Sequence, residues 1–218
     1  RHAPFRVFYA GAIGAALGYT MQTTVAAWMM ATLTHSAVTV ALVQTASTAP
    51  ALLFGLFAGA LADIVDRRKV ILATQVVLVA AVALLGAASI AGWVGPAMLL
   101  AMTFVVGACF AFYQPAQQAS VNDLVARSDL SQAVSLNAVG FNVSRAIGPA
   151  IAGALTALLG TGSALFASAA CFVAMIVAGR RVKTRAPILP GVPERLFSGV
   201  QSGLRYARHS PALRAFIL

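Results

Sequence analysis

Gly59-Ala60-Leu61-Ala62-Asp63-Ile64-Val65-Asp66-Arg67-Arg68-Lys69-Val70-Ile71-Leu72 closes one apolar run in a knot of charge and opens the next at once. Charged side chains crowded between two aliphatic runs read as a tight hairpin at a membrane surface, where basic residues stop a span from sliding inward. Asp63 and Arg67 stand four apart. A helix continuing through them predicts an ion pair with the carboxylate one turn N-terminal to the guanidinium, the favourable order. Gly59, one turn earlier, has no side chain and offers another backbone a close approach.

The rest of the chain agrees with a membrane setting. Of 218 residues, 60% are hydrophobic and only 9% charged, too apolar for a water-soluble domain of ordinary composition. The net charge of +10 would suggest nucleic acid in a soluble protein. Here the basic residues fall in the gaps between apolar runs, so the chain is read as binding lipid bilayer and no nucleic acid. Cys109 and Cys171 each lie inside an apolar run without a C-x-x-C or His-rich neighbourhood, which disfavours both a metal site and a structural disulfide. The chain starts at Arg1, and its first apolar run is too long for a signal-peptide core, so it reads as a fragment.

A spanning helix needs about 20 mainly apolar residues. That ruler places six, at Val7 to Ala31, Val38 to Ala62, Val70 to Ala91, Ala97 to Val121, Gln132 to Leu159 and Ser163 to Gly179. The gaps after the first, third and fifth contain no Lys or Arg. The alternate gaps hold Arg67, Arg68, Lys69 and Arg127, and Arg1 and Arg6 precede the first span. Every acidic residue (Asp63, Asp66, Asp123, Asp129 and Glu194) lies on that same side. The asymmetry predicts a multi-pass protein of the cytoplasmic (inner) membrane with both ends of the six-helix unit cytoplasmic. Residues 1–179 form the predicted bundle and 180–211 a cytoplasmic linker. Three prolines stiffen that linker, and Leu196, Val200, Leu204 and Ala207 recur in it at the spacing of an interfacial amphipathic helix. Residues 212–218 begin a seventh span.

Polar residues inside spans must find partners or face a wet cavity. The first span carries Tyr19, Thr20, Gln22, Thr23 and Thr24, and both readings are open for them. Small residues recur every fourth position at Ser47, Ala51, Gly55 and Gly59, and again at Gly140, Ser144, Gly148 and Ala152, as close-packing faces do. Pro149 removes a hydrogen bond to the preceding turn and should loosen the fifth span. Arg145 is the ionisable residue deep in a span. A centred Arg costs about 2.5 to 3.5 kcal/mol on insertion scales, so it should face the interior and hold a partner. Two readings compete, a structural Arg tied to backbone carbonyls or to Gln22, Gln44 or Gln114, and a pathway residue that binds an anionic substrate or responds to a proton-carrying carboxylate. The candidate pathway set is Arg145, Asn142, Asn137, Gln22, Gln44 and Gln114.

The opening stretch resembles the loop between the second and third helices of the major facilitator superfamily, G-x-L-A-D-x-x-G/D-R-R/K. It keeps Gly59, Leu61, Ala62, Asp63, Arg67 and Arg68 and departs at Ile64 and Asp66. Gly148-Pro149-Ala150-Ile151-Ala152-Gly153 resembles the antiporter element G-P-x-x-G-G, with Ala152 in place of one glycine. The run Asn137 to Ala150, together with Leu17 to Gln22, Gln114 to Ala119 and Gly203 to Pro211, is similar to the enterobactin-exporter-like, or transmembrane secretion effector, branch. Gln117 stands where Arg is frequent and Tyr19 where some members carry Asp. The resemblance covers nearly the whole chain and the first half of a family member. It implies an all-α membrane protein, the six-transmembrane-helix half of a 12-helix facilitator fold. It also implies a conformational-switch motif at Gly59, Asp63, Arg67 and Arg68, an antiporter-like motif at Gly148, Pro149 and Gly153, and a second six-helix half against which the small faces of helices two and five pack.

No phosphate-cradling G-x-x-x-x-G-K-S/T loop occurs, nor a potassium-filter motif, and no His inside a span is placed to activate Ser163. The expected function is therefore not enzymatic and needs no cofactor or metal. The resemblance implies secondary export of a small molecule such as a siderophore or drug, with protons as the coupling ion. The alternative is a non-transporting membrane scaffold or sensor on a transporter-like fold.

Overall fold

The computed structural model describes residues 3–182. Among these the chain is helix and short turn with no strand: α1 (Ala3–Leu33), α2 (Ala37–Ile64), α3 (Arg67–Ile90), α4 (Pro96–Leu124), a single 3-10 turn at Arg127–Asp129, and α5 (Leu130–Arg181). The linker, the amphipathic segment and the start of a seventh span lie outside the described residues.

Local chemistry sets the boundaries. Ser36 caps α2 by accepting the Thr39 N–H at 3.3 Å, and Asp66 caps α3 by accepting the Arg68 N–H at 2.9 Å. Pro96 opens α4, where its missing N–H costs nothing. α2, α3, α4 and α5 are long and apolar enough to cross a membrane. α1 runs 31 residues but interrupts its apolar surface with the band at Tyr19 to Thr24.

At 1.5 Å per residue the 52 residues of α5 would extend about 78 Å, more than twice a hydrocarbon core of about 30 Å. The helix breaks at Gly160, whose φ of 84° and ψ of 165° only glycine adopts cheaply. Two arms result, residues 130–159 and 161–181, and both pack on α1. On the first, Gly140 lies against Tyr9 and Gly148 against Thr20, so that arm ascends with α1. On the second, Ser168 lies against Gly18 and Ala178 against Gly11, so it descends. The arms run in opposite directions, with Gly160 as the reversal. α5 stays helical through Pro149, where the sequence predicted a loosened backbone.

Close helix approach is concentrated on α1. A Cβ built on Gly11, Gly14 or Gly18 would fall 2.6 Å from Ala178 Cβ, 2.9 Å from the Cys171 carbonyl oxygen and 2.9 Å from the Ser168 carbonyl oxygen. Ser168 Oγ donates to the Gly18 carbonyl at 2.7 Å across the same seam. This alters the expectation for the two small-residue faces. The face at Gly140, Ser144, Gly148 and Ala152 does not wait for a second half, because α1 already covers it and all four residues are buried. The α2 face behaves differently: Ser47 is buried against Gly107 of α4, while nothing lies within 4 Å of a Cβ on Gly55 or Gly59. α2 otherwise packs on α4, and α3 packs on α4 and α5.

Helix direction sorts the charges. Arg67 reaches Asp123 and Arg68 reaches Gly179 and Arg180, so the 65–66 turn, the end of α4 and the end of α5 share one end of the bundle. Ser89 Oγ and Thr161 Oγ1, 2.8 Å apart, mark the opposite end. Arg6, Lys69 and Arg127 join the first end by their places in the helix order, and among the described residues no Lys or Arg stands at the second.

Candidate functional site

α4 carries Phe110, Gln114 and Gln118 at intervals of four, one above the other on a single face. Phe141, from the first arm of α5, comes to the same place. Together these four side chains form a ridge bordered by two lobes. The larger lobe, 590 Å³, lies between α1, α4 and α5, with Ile13, Tyr113, Gln117 and Asn137 among its walls. The smaller, 430 Å³, lies between α1, α2 and α4 and is walled by Tyr19, Ser47, Thr48 and Gly55. No residue lining either lobe is charged. The larger lobe is lined by residues 110–122 of α4 and 134–141 of α5, which places it toward the basic end.

The walls are held by side-chain hydrogen bonds. Gln117 Nε2 donates to Asn137 Oδ1 at 3.1 Å, tying α4 to α5, and Gln118 Nε2 donates to Gln114 Oε1 at 3.2 Å. Tyr19 stacks on Phe110 with ring centroids 4.0 Å apart and planes 8° apart, and its hydroxyl donates to the Ser47 carbonyl at 3.2 Å. α4 comes this near to α2 because position 107 is glycine: a Cβ there would lie 2.5 Å from that same Ser47 carbonyl oxygen. The polar band of α1 thus divides. Tyr19 and Thr20 bind neighbouring helices, Thr20 through the Ser144 carbonyl at 3.1 Å, whereas Thr23 and Thr24 donate to carbonyls of their own helix.

The candidate pathway residues are distributed unequally around this cleft. Gln114 and Asn137 line it. Arg145 and Asn142 stand on the exposed side of the first arm of α5, just beyond Phe141. Asn142 Nδ2 donates to the Ala138 carbonyl at 2.9 Å. The Arg145 guanidinium lies 5.9 Å from the Phe141 ring centroid and makes no hydrogen bond or ion pair among the described residues. Among the described residues it is tied neither to a carbonyl nor to Gln22, Gln44 or Gln114. Gln44 is exposed on α2 and lines neither lobe. Gln22 is wholly buried, with neither amide atom hydrogen-bonded, and lines neither lobe. Gln75 of α3, buried and unpartnered in the same way, was not a candidate; its lone polar side chain in an apolar span was the only signal of it.

The charged knot works differently from the i, i+4 expectation. α2 stops at Ile64 and α3 starts at Arg67, so no helix passes through Asp63 and Arg67 together. Arg67 Nη1 instead binds Asp123 Oδ2 at 2.6 Å. Arg68 turns the other way, its Nε donating to the Gly179 carbonyl and an Nη to the Arg180 carbonyl, each at 2.8 Å. A guanidinium on the free carbonyls of a helix C-terminus satisfies acceptors that have no helical partner and complements the helix dipole. Two adjacent arginines therefore fasten the start of α3 to the ends of two other helices. Asp63 is exposed and makes no hydrogen bond or ion pair among the described residues. Of the antiporter-like motif, Gly148 is packed under Thr20, Pro149 is exposed, and a Cβ on Gly153 would meet nothing within 4 Å outside its own turn.

The comparisons with known proteins agree with this architecture. The profile of the transmembrane secretion effector family matches residues 1–218. The chain is 25% identical over 227 aligned positions to the multidrug efflux pump Tap of Mycolicibacterium fortuitum, an alignment covering all of this chain and 55% of that protein. It is 30% identical over 152 positions to the staphyloferrin A transporter of Staphylococcus aureus, covering 69% of this chain and 38% of that one. The chain spans about half the length, or less, of these curated relatives. Aligned along its whole length with a helical membrane family, it belongs to the transmembrane secretion effectors of the major facilitator superfamily.

Proposed function

We propose that the chain is the N-terminal six-span half of a secondary active exporter that moves a small molecule, a siderophore or drug-like compound, in exchange for protons. The observation that carries this reading is the two-lobed cleft. A cavity lined by amides and aromatic rings, set between helices of an apolar bundle, suits an organic substrate better than a hydrated ion. α1 to α4 and the two arms of α5 supply the six spans, and alternating access follows when a second bundle closes the cleft from the open side. The pathway runs along Gln114, Asn137, Phe110 and Phe141, with Asn142 and Arg145 beside it. Gly59, with open space beside it, and Asp63, without a hydrogen bond or ion pair among the described residues, are the parts of the switch motif left for the second half.

In proteoliposomes holding the complete protein, an imposed proton gradient should drive accumulation of the transported member of a siderophore and drug panel. Phe110→Ala and Gln114→Ala should each cut that flux about tenfold at equal protein abundance. Gradient-independent flux, or no flux of any panel member, contradicts the proposal and favours the scaffold reading.

The proposed orientation puts the basic end in the cytoplasm. In a cysteine-free background, cysteine at exposed His35 should react with an impermeant thiol reagent applied to whole cells, and cysteine at exposed Ser128 only after lysis. The reverse pattern inverts the topology.

A further inference from the structure

Arg145 sits midway along the first arm of α5, residues 130–159, about 22 Å from its start and so near the middle of a bilayer. It is exposed on the protein, and no described hydrogen bond or ion pair satisfies its guanidinium. Such a group inside a membrane protein requires an acceptor. The described acidic residues offer none at that depth: Asp63, Asp66, Asp123 and Asp129 all stand in or beside the turns of the basic end. The guanidinium instead rests over Phe141, the ring shared by both lobes. Every residue lining the two lobes is uncharged, and their polar groups are amides and hydroxyls able to bind the body of a ligand without regard to its charge.

We infer that the cleft selects a singly anionic, flat organic ligand, whose aromatic or conjugated body lies against Phe110 and Phe141 and whose carboxylate, sulfonate or phosphate reaches past Phe141 to Arg145. This rests on the cleft being the substrate site and adds the charge class. The planar fork of Arg145 matches an oxyanion by two parallel N–H donors, and the low-dielectric surroundings strengthen that contact while making a cationic ligand repulsive. The Phe141 ring, 5.9 Å away, faces the guanidinium without neutralising it.

The test uses three fluorescent probes with one body: a diethylaminocoumarin carboxylate, its neutral carboxamide and its trimethylammonium derivative. Binding to the complete protein in nanodiscs is read by fluorescence polarisation. The carboxylate should bind about tenfold or more tighter than the carboxamide, and the trimethylammonium probe weakest. Arg145→Gln should bring the carboxylate-to-carboxamide ratio to about one, and Arg145→Lys, which keeps a point charge but not the fork, should restore part of it. Phe141→Ala should weaken all three probes. Equal binding of carboxylate and carboxamide by the unaltered protein, with Phe141→Ala still weakening both, overturns the anion inference and leaves the cleft reading standing. A ratio that survives Arg145→Gln also overturns it, and assigns Arg145 to a carboxylate of the second half. Saturable binding of no probe, or binding indifferent to Phe141→Ala, removes the cleft reading and this inference together.

Discussion

Gly148→Leu should destabilise this bundle and lower its abundance several-fold, while Gly55→Leu should leave its assembly unchanged. Both glycines belong to regular small-residue faces in the sequence, and the contrast comes from what covers them. At Gly148 even a Cβ would press into Thr20 Oγ1 and Cβ, and the Thr20 hydroxyl is the donor that binds the Ser144 carbonyl one turn earlier. A leucine there must push α1 off α5, losing that hydrogen bond and the contacts of Ser144 and Gly140 beside it. Overpacking of a closed seam costs about 1–3 kcal/mol and more when backbone must move, enough to lower membrane abundance several-fold. At Gly55 nothing lies within 4 Å, so a leucine side chain enters open space in this bundle. Abundance and monodispersity of the purified complete protein decide the matter. Gly148→Leu should fail on both counts, whereas Gly55→Leu should pass both and act on transport alone. If the two variants fold equally well, the packing of α1 on α5 described above is wrong.

Reversing one charge of the Arg67–Asp123 pair should be far more damaging than reversing both. The Arg67 and Asp123 side chains are 18% and 22% exposed, so each is shielded enough for an unpaired or like-charged neighbour to be costly. Arg67 also leans on the Ala62 and Ala119 carbonyls at 3.4 Å, so it ties the end of α2, the start of α3 and the end of α4. Arg67→Glu or Asp123→Arg alone should reduce abundance and transport several-fold, an effect of about 1–3 kcal/mol. The double reversal should recover abundance to within about twofold of the unaltered protein, by the logic of a double-mutant cycle. Asp63→Asn, outside the pair, should leave abundance unchanged. A double variant no better than either single one would mean that Arg67 acts through its carbonyl contacts and not through Asp123.

Residue composition alone placed the helices well, because lipid imposes the same demand on every span: about 20 apolar residues and a turn where polar backbone meets water. Val38 to Ala62 lies inside α2, Ala97 to Val121 inside α4, and the glycine-flanked gap predicted at 160–162 is where the chain reverses. Sorting of the basic residues to one end was equally open to reading, since alternate gaps in an antiparallel bundle must share an end. Partner identity was not. Arg67 has a carboxylate four residues back and another 56 residues on, and only the helix break at Val65 and Asp66, with α4 folded alongside, selects Asp123. The glutamines of the pathway set show the same limit: Gln22, Gln44 and Gln114 look alike in apolar runs, and helix rotation puts Gln22 in the core, Gln44 on the exposed side of α2 and Gln114 on the ridge. Gly11, Gly14 and Gly18 were overlooked because their spacing is irregular, three then four. Two facing helices make such a seam tight wherever their backbones happen to meet, and that meeting is a property of the pair, written in neither helix by itself.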